Sequence, residues 1–145
     1  MAVDVPALLE MSSDELDAVF EASEAGPIPD GEARGTVLVA PGAELESTAA
    51  KLAHLLVWQG KVFDREKGEL RNEILPTGIK TIVAEVYKAP SWLDEKETIV
   101  LDYSKTSLVA HWIRDEIREV GPGVYLGLVY WGKDRILHFA LDFSG

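Results

Sequence analysis

The sequence predicts an α+β protein in which a curled antiparallel β-sheet, or a small barrel, carries an N-terminal helix and one or two further helices. Three observations lead to this prediction. About seven short segments show the alternation or the apolar runs of β-strands. Other segments repeat their apolar residues at helical spacing. Most strand-like segments are joined by turns too short for a parallel crossover, so neighbouring strands should run antiparallel.

The first predicted element is a short acidic helix at residues 12–23. Ser12 lies three residues before Glu15, which is the spacing of a capping box, and apolar residues follow at helical intervals. Residues 26–31 are rich in glycine and proline and therefore predict a loop. This loop should join the acidic helix to the rest of the chain.

The next two predicted elements are a strand and a helix. Residues 34–40 form a short β-prone run that a proline and a glycine end. Residues 43–57 predict a helix because one face carries apolar residues at intervals of four, three and four. These residues are Leu45, Ala49, Leu52 and Leu56. The helix should pack on the core through that face.

Four more strands are predicted in the middle of the chain. Residues 58–63 and 69–75 read as two strands of a hairpin whose connection contains Gly68. Residues 80–88 alternate between the two faces, as a half-buried strand does, and residues 97–103 do the same.

The last part of the chain combines an ambiguous segment with a clear hairpin. Residues 106–120 fit either a helix or a strand, but apolar residues such as Ile113 and Ile117 recur at helical spacing, and a glycine and a proline follow. We therefore predict a helix there. Residues 124–131 and 135–143 predict a hairpin, and the first of its strands is apolar on both faces, which is typical of a central strand.

Charge and composition limit the functional classes. The formal net charge is −11, and residues 1–34 hold nine acidic side chains against one basic side chain. We therefore divide the chain into an acidic helical arm and loop, residues 1–31, and a single β-rich domain, residues 32–145. The net charge disfavours nucleic acid and anionic membrane as partners. Because there is no cysteine, disulfides and thiolate chemistry are excluded.

The N-terminus carries no pattern of a secretory signal. It lacks a basic segment and turns acidic within its first ten residues. No apolar run reaches the length needed to cross a membrane. We therefore expect a cytoplasmic protein. The oligomeric state stays open at this point, a homodimer included.

Three segments resemble a group of small, largely uncharacterised bacterial proteins. They are residues 57–63, with the sequence Val-Trp-Gln-Gly-Lys-Val-Phe, residues 114–118 and residues 123–127. The resemblance extends loosely over most of the chain. It implies a small β-rich fold around a cavity, and it carries no established activity.

The segment at residues 56–60 is also similar in part to the lipocalin-like GXWXG proteins. Trp58 and Gly60 match the motif, whereas Leu56 stands where its first glycine would be. This similarity covers only a few residues. It implies a small lipocalin-like barrel around a cavity.

Aromatic residues suggest a site for a small, mostly apolar organic molecule. Trp58, Tyr103, Tyr125 and Tyr130 could line a cavity with flat apolar walls and a few hydroxyl groups. Protein cores also use aromatic residues, so ordinary core packing remains the alternative. Our first functional hypothesis is ligand binding in this cavity, with polar orientation from Arg114, Asp102 and His138.

The second hypothesis makes the same cavity catalytic. His138 and Asp142 share one face of a predicted strand but lie about 13 Å apart along it, so any carboxylate partner of His138 must come from another strand, for example Asp102. His138 or Asp102 would act as general base, and Arg114 or a tyrosine hydroxyl would stabilise an enolate-like charge. The protein would then be a cofactor-free isomerase, cyclase or lyase. The alternative is that these charges are structural or solvated.

Asp142 is a further candidate for the ligand site, and so is Lys61. It could form a Schiff base only if it is buried, because an exposed ammonium stays protonated. The histidines show no metal-ligand spacing, and no nucleotide-binding or serine-hydrolase motif is present, so we expect neither a metal nor a cofactor. A third hypothesis, from another class, is that the acidic arm docks a basic protein partner.

Overall fold

The chain folds into a closed antiparallel β-barrel. The computed structural model describes residues 3–38, 60–73, 82–105 and 111–143. Within these ranges, eight strands follow one another around the barrel in chain order, and the last strand pairs with the first. The strands are β1 (Gly31–Leu38), β2 (Gly60–Asp64), β3 (Glu69–Glu73), β4 (Ile82–Pro90), β5 (Glu97–Asp102), β6 (Ile113–Gly121), β7 (Val124–Trp131) and β8 (Asp134–Asp142).

Strand β1 closes the barrel by pairing on both sides. Its first three residues, 31–33, pair with β2, and residues 34–38 pair with β8. The prediction of an antiparallel sheet that curls into a small barrel is therefore confirmed.

Alternation along the strands creates two separate apolar clusters. The first cluster contains residues from all eight strands and lines the barrel lumen. Its buried members on the strands are Ala33, Phe63, Leu70, Ala84, Val86, Ile99, Leu101, Ile113, Ile117, Tyr125, Val129, Leu137, Phe139 and Leu141, and Tyr103 lies just after β5. The lumen thus has an almost continuous apolar wall.

The second cluster covers part of the outside of the barrel. Two helices, α1 (Val5–Leu9) and α2 (Ser13–Ala22), contribute Leu8, Leu16 and Phe20, all of which are buried. Their partners are outward-facing residues of four strands: Leu38, Val120, Val124, Leu126, Leu128, Tyr130 and Ala140. The acidic arm is therefore packed on the barrel through its apolar face.

The predicted acidic helix corresponds to α2. The Oγ atom of Ser12 accepts a hydrogen bond from the Glu15 amide at 3.2 Å, and Glu15 Oε1 accepts one from the Ser12 amide at 3.1 Å. Both halves of the capping box are thus present. The preceding helix α1, which was not predicted, begins after Asp4, whose side chain accepts a hydrogen bond from the Ala7 amide.

The prediction of a helix at residues 106–120 is wrong where the structure describes it. Residues 113–121 form strand β6, which pairs with β5 and β7. Both faces of this strand are largely buried, one in the lumen and the other beneath α2 and the β4–β5 loop. Ile113 and Ile117 on the luminal face and Val120 on the outer face lie at intervals of four and three, and this spacing imitates a helical period.

The other predicted strands are confirmed, and their ends agree within three residues wherever the predicted end lies in the described ranges. The predicted helix at residues 43–57 lies outside the described residues, as does Trp58.

Candidate functional site in the barrel lumen

Two ionisable side chains interrupt the apolar wall of the lumen. Lys61 on β2 shares its strand face with Phe63, and Asp115 on β6 shares its face with Ile113 and Ile117. Three strands separate β2 from β6 in either direction around the barrel. Lys61 and Asp115 therefore enter the lumen from opposite walls.

Lys61 is completely buried, with an exposed fraction of 0%. Its ammonium nitrogen, Nζ, donates a hydrogen bond to the hydroxyl oxygen of Tyr103 at 3.2 Å, and it lies 5.9 Å from the centre of the Tyr103 ring. Tyr103 follows directly after β5 and is itself fully buried. The two side chains together form a polar group inside the lumen.

Asp115 is 2% exposed, and its Oδ1 atom has no hydrogen-bond partner among the described residues. Leaving a buried polar atom without a partner costs about 1 to 3 kcal/mol, and more for a charged group. The surrounding fold must offset this cost. An acceptor of this kind, held in an apolar lumen, is available to a donor on a bound molecule.

Burial shifts both ionisation equilibria toward neutral pH. Desolvation lowers the pKa of Lys61 to about 8, and the charge of Asp115 opposes this shift. Desolvation raises the pKa of Asp115 to about 7, and the charge of Lys61 opposes it. Either group can therefore gain or lose a proton near neutrality, as general acids and bases must.

The lumen contains some of the residues that the sequence suggested. Lys61 and Tyr103 come together there, and the burial that the Schiff-base hypothesis required for Lys61 is present. Tyr125 also lies in the luminal cluster, and its hydroxyl donates to the Pro27 carbonyl at 2.7 Å in the loop before β1. Burial raises the pKa of Tyr125 to about 12, so this hydroxyl keeps its proton.

The three residues assigned catalytic roles are not grouped in the lumen. His138 lies opposite the luminal Phe139 in the alternation of β8, and its Nε2 atom is 2.7 Å from Asp17 Oδ1 on α2. Burial lowers the pKa of His138, and the Asp17 hydrogen bond opposes this shift. His138 therefore helps to hold α2 against the barrel.

Asp102 and Arg114 also belong to the outer face. Asp102 accepts a hydrogen bond from the Tyr87 hydroxyl at 2.7 Å, and Arg114 pairs with Glu116 at 3.1 Å. His138 and Asp102 lie on strands that are not neighbours, so the structure does not bring them together. Asp142, paired with Arg34 and Val124 across the neighbouring strands, alternates outward after the luminal Leu141.

Arg114 and Tyr130 both line an open cleft on the outside of the barrel. The Arg114 guanidinium lies 4.2 Å from the centre of the Trp92 ring, and the Trp92 and Tyr130 rings are 5.1 Å apart. The cleft has a volume of about 620 Å³, and Lys133 also lines it. Two of the predicted site residues therefore share a surface site that is separate from the lumen.

Comparison with solved structures finds a similar fold in the crystal structure of a protein from Thermomonospora curvata. The TM-score is 0.61 and the sequence identity is 17%, over 94% of this chain and 90% of that chain. At this identity the similarity shows the fold alone. It agrees with the likeness to a group of bacterial proteins that the sequence suggested.

No protein-family model and no curated protein matches the chain. The resemblance to the lipocalin-like GXWXG proteins gains no support from the comparisons. Residues 56–59 of that segment lie outside the described ranges.

Two further properties concern metals and membranes. In the described part of the chain, no group of three or more His, Asp or Glu side chains is placed to hold a metal ion. No helix in the same ranges is long and apolar enough to span a membrane.

Sequence reasoning missed Asp115 as a site residue. A helix at residues 106–120 would bring Asp115 and Arg118 to one face, three residues apart, whereas the strand places Arg118 outside the barrel and Asp115 inside. The period of two was present in the sequence, because Ile113, Asp115 and Ile117 alternate with charged residues. Applying the strand period to this segment would have shown an acid on an otherwise apolar face.

Proposed function

We propose that the protein binds a small, mostly apolar organic molecule in the barrel lumen, with its polar group held between Lys61, Tyr103 and Asp115. The observation that carries this proposal is the unpartnered Oδ1 atom of Asp115 inside an apolar barrel. Binding sites for small molecules commonly combine apolar walls with a few convergent polar groups.

The chemistry of the three polar residues defines the ligand. Lys61 and the Tyr103 hydroxyl can donate hydrogen bonds, and Asp115 can accept one. A molecule with an apolar body and one polar end that carries both a donor and an acceptor would fit this arrangement. The orienting roles that the sequence suggested for Arg114, Asp102 and His138 pass to Lys61 and Asp115 in this proposal.

A second candidate function, proton-transfer catalysis without a cofactor, is favoured by the same pair. A general base and a general acid work best when their pKa values lie near the working pH. The pKa values of Asp115 and Lys61 both lie near neutrality because burial shifts them there. Asp115 would replace His138 and Asp102 as the base, and Lys61 or Tyr103 would stabilise the developing negative charge.

Binding can be tested with N-phenyl-1-naphthylamine, a neutral apolar fluorophore that carries one N–H donor. We expect saturable fluorescence enhancement with one probe per chain. The Asp115→Leu variant should bind about tenfold more weakly or worse, since a hydrogen bond to a charged group contributes about 1.5 to 3 kcal/mol. Native mass spectrometry of protein purified from its host would identify a resident molecule.

A matched pair of variants distinguishes the lumen from the surface. Ala84→Leu adds three carbons inside the barrel, whereas Ala89→Leu makes the same change on the outward face of the same strand. We expect only Ala84→Leu to weaken probe binding, with circular dichroism confirming that both variants fold. Equal binding by both variants would place the probe elsewhere and contradict the proposal.

A further inference from the structure

We propose that Lys61 binds its ligand covalently, and that the lumen takes aldehydes or ketones with an apolar body as Schiff bases on Nζ. This inference rests on the proposed function, because the carbonyl compound must first enter the lumen. It adds the class of ligand and a chemical step that binding alone does not require.

The position of the Lys61 amine favours nucleophilic reaction. Among the lysines that the structure describes, Lys61 alone is buried, and the side chains of Lys88, Lys96 and Lys105 are 36%, 61% and 73% exposed. A lysine is a nucleophile only when it is neutral, and an apolar environment favours the neutral amine. Lys61 therefore has the surroundings that amine chemistry requires.

The ionisation of the Lys61 amine also favours its reaction near neutral pH. Burial lowers the pKa of Lys61 to about 8, so the neutral form of Nζ is well populated near pH 8. An exposed lysine with an ordinary pKa of about 10.4 is neutral in fewer than 1% of molecules at that pH. Selective reaction at Lys61 is the expected consequence.

The carboxyl group of Asp115 lies across the lumen from Lys61. Asp115 has an acceptor atom without a partner, and its charge is close enough to shift the pKa of Lys61. A protonated Schiff base is a buried cation, and a buried cation needs an opposite charge. Asp115 can supply that charge, and it thereby obtains the partner that its Oδ1 atom lacks in the unliganded protein.

Schiff-base formation on Lys61 needs no oxidant or reductant. The Nζ lone pair attacks the carbonyl carbon, a C–N bond forms as the C=O π bond breaks, and one proton passes from Nζ to the carbonyl oxygen to give a carbinolamine. That oxygen then accepts a second proton and leaves as water while the C=N bond forms. The protonated carboxyl of Asp115 can donate a proton to the departing oxygen, and the Tyr103 hydroxyl, 3.2 Å from Nζ, can hold that oxygen.

The test uses 2-naphthaldehyde with sodium cyanoborohydride, which reduces the iminium to a stable secondary amine. Intact mass spectrometry should show one adduct per chain at pH 7.5, and peptide mapping should place it on Lys61. Lys61→Arg should abolish this adduct, whereas Lys133→Arg, a change at an exposed lysine, should leave it unchanged. Adducts spread over exposed lysines and the N-terminus, at equal rates in Lys61→Arg, would overturn the inference.

Asp115→Asn keeps the volume of the side chain but removes its acid. We expect the rate of adduct formation to fall by at least about tenfold in this variant, since positioned acid–base groups contribute about 10² to 10⁴. An unchanged rate of adduct formation would show that Asp115 takes no part in the reaction. If Lys61→Arg fails to fold, the Lys61→Met/Asp115→Leu double variant replaces it, because it leaves no unpaired buried charge.

Failure of this inference can be told apart from failure of the proposed function. Saturable binding of N-phenyl-1-naphthylamine without an adduct on Lys61 would leave the lumen as a noncovalent site and refute the Schiff base. Absence of both probe binding and adduct would refute both. An adduct on Lys61 that Ala84→Leu suppresses would support both.

Discussion

Lys61 and Asp115 project into the lumen from strands on opposite sides of the barrel, and each opposes through its charge the pKa shift that burial imposes on the other. Burying two charges costs more free energy than their attraction returns unless the geometry is very favourable. We expect a barrel closed by apolar residues alone to be at least as stable. We propose that the pair serves ligand binding rather than folding.

Replacing the pair with apolar residues should separate stability from function. We expect Lys61→Met/Asp115→Leu to raise the free energy of unfolding by about 1 to 4 kcal/mol at pH 7.5, as happens when buried ion pairs become well-packed apolar contacts. The same variant should lose binding of N-phenyl-1-naphthylamine. Urea denaturation and fluorescence titration measure the two effects. A less stable variant with unchanged probe binding would contradict the role given to the pair.

The pair should also give the wild-type protein a characteristic dependence of stability on pH. Between about pH 4 and 7, folded Asp115 holds a proton that the unfolded chain releases, so its contribution falls as pH rises. Between about pH 8 and 10.5, folded Lys61 has lost a proton that the unfolded chain keeps, so its contribution rises with pH.

The difference in unfolding free energy between wild type and Lys61→Met/Asp115→Leu isolates these two contributions. We expect wild type to be least stable relative to the double variant between about pH 7 and 8, where both groups are charged. Urea denaturation from pH 5 to 10 measures this difference. A difference that does not vary with pH would mean that the two groups titrate normally.

Arg118 should be the most important polar residue on the outside of the barrel. It is fully buried, binds both oxygens of Asp94 at 2.7 Å, and donates to the Phe20 carbonyl at the end of α2. Removing one partner of a buried ion pair costs about 3 to 5 kcal/mol. We expect Arg118→Met to lose that much unfolding free energy, and Arg71→Met, at an exposed position, to lose little.

A second measurement reports on the same contact. The Arg118 hydrogen bonds lower the pKa of Asp94 to about 2. In Arg118→Met, that pKa should return toward its ordinary value, which NMR titration of the carboxyl carbon would detect. An Asp94 pKa that stays near 2 would show that other groups hold the carboxylate.

Gly127 should be needed for the packing of Phe139. A Cβ atom at position 127 would lie 2.3 Å from carbon atoms of the Phe139 ring, which is too close for any real contact. We expect Gly127→Ala to lower the unfolding free energy by about 1 to 3 kcal/mol, the usual cost of overpacking a core. Thermal denaturation measures the loss, and the Gly127→Ala/Phe139→Leu double variant should lose less than the two single changes combined. Strict additivity would contradict this explanation.

The acidic arm should behave as part of the barrel rather than as an independent segment. Phe20 is fully buried and its ring lies 4.3 Å from the Arg118 guanidinium. We expect Phe20→Ala to lower the unfolding free energy by about 3 to 5 kcal/mol, whereas Glu21→Ala, at an exposed site on the same helix, should have little effect. Equal stability of the two variants would favour the hypothesis that the arm is held for a separate partner.

The alternation of apolar residues predicted much of the architecture. Residues 80–88 were expected to alternate between two faces, and Ala84 and Val86 of β4 line the lumen. The capping box at Ser12 was also read correctly. Such features are local, because side-chain direction in a strand and the hydrogen bonds of a helix cap depend on residues close in sequence.

The candidate site could be predicted only in part. Lys61 and Tyr103 were named, and burial was recognised as the condition for amine chemistry at Lys61, but no local signal shows whether a given lysine is buried. Asp115 was missed because β6 has both faces covered and its apolar residues imitate a helix. His138, Asp102 and Arg114 were grouped by chemistry, although their strands point them outward.

The sequence by itself determined the class of the fold and the directions of most strands. It also excluded thiol catalysis, because the chain has no cysteine. Closure of the barrel decided which side chains are buried together in the lumen. Lys61 and Asp115 are separated by more than fifty positions, and they share one apolar space only because β8 pairs with β1. Their burial, and the pKa shifts that follow from it, come from that closure, since desolvation depends on every wall of the lumen at once.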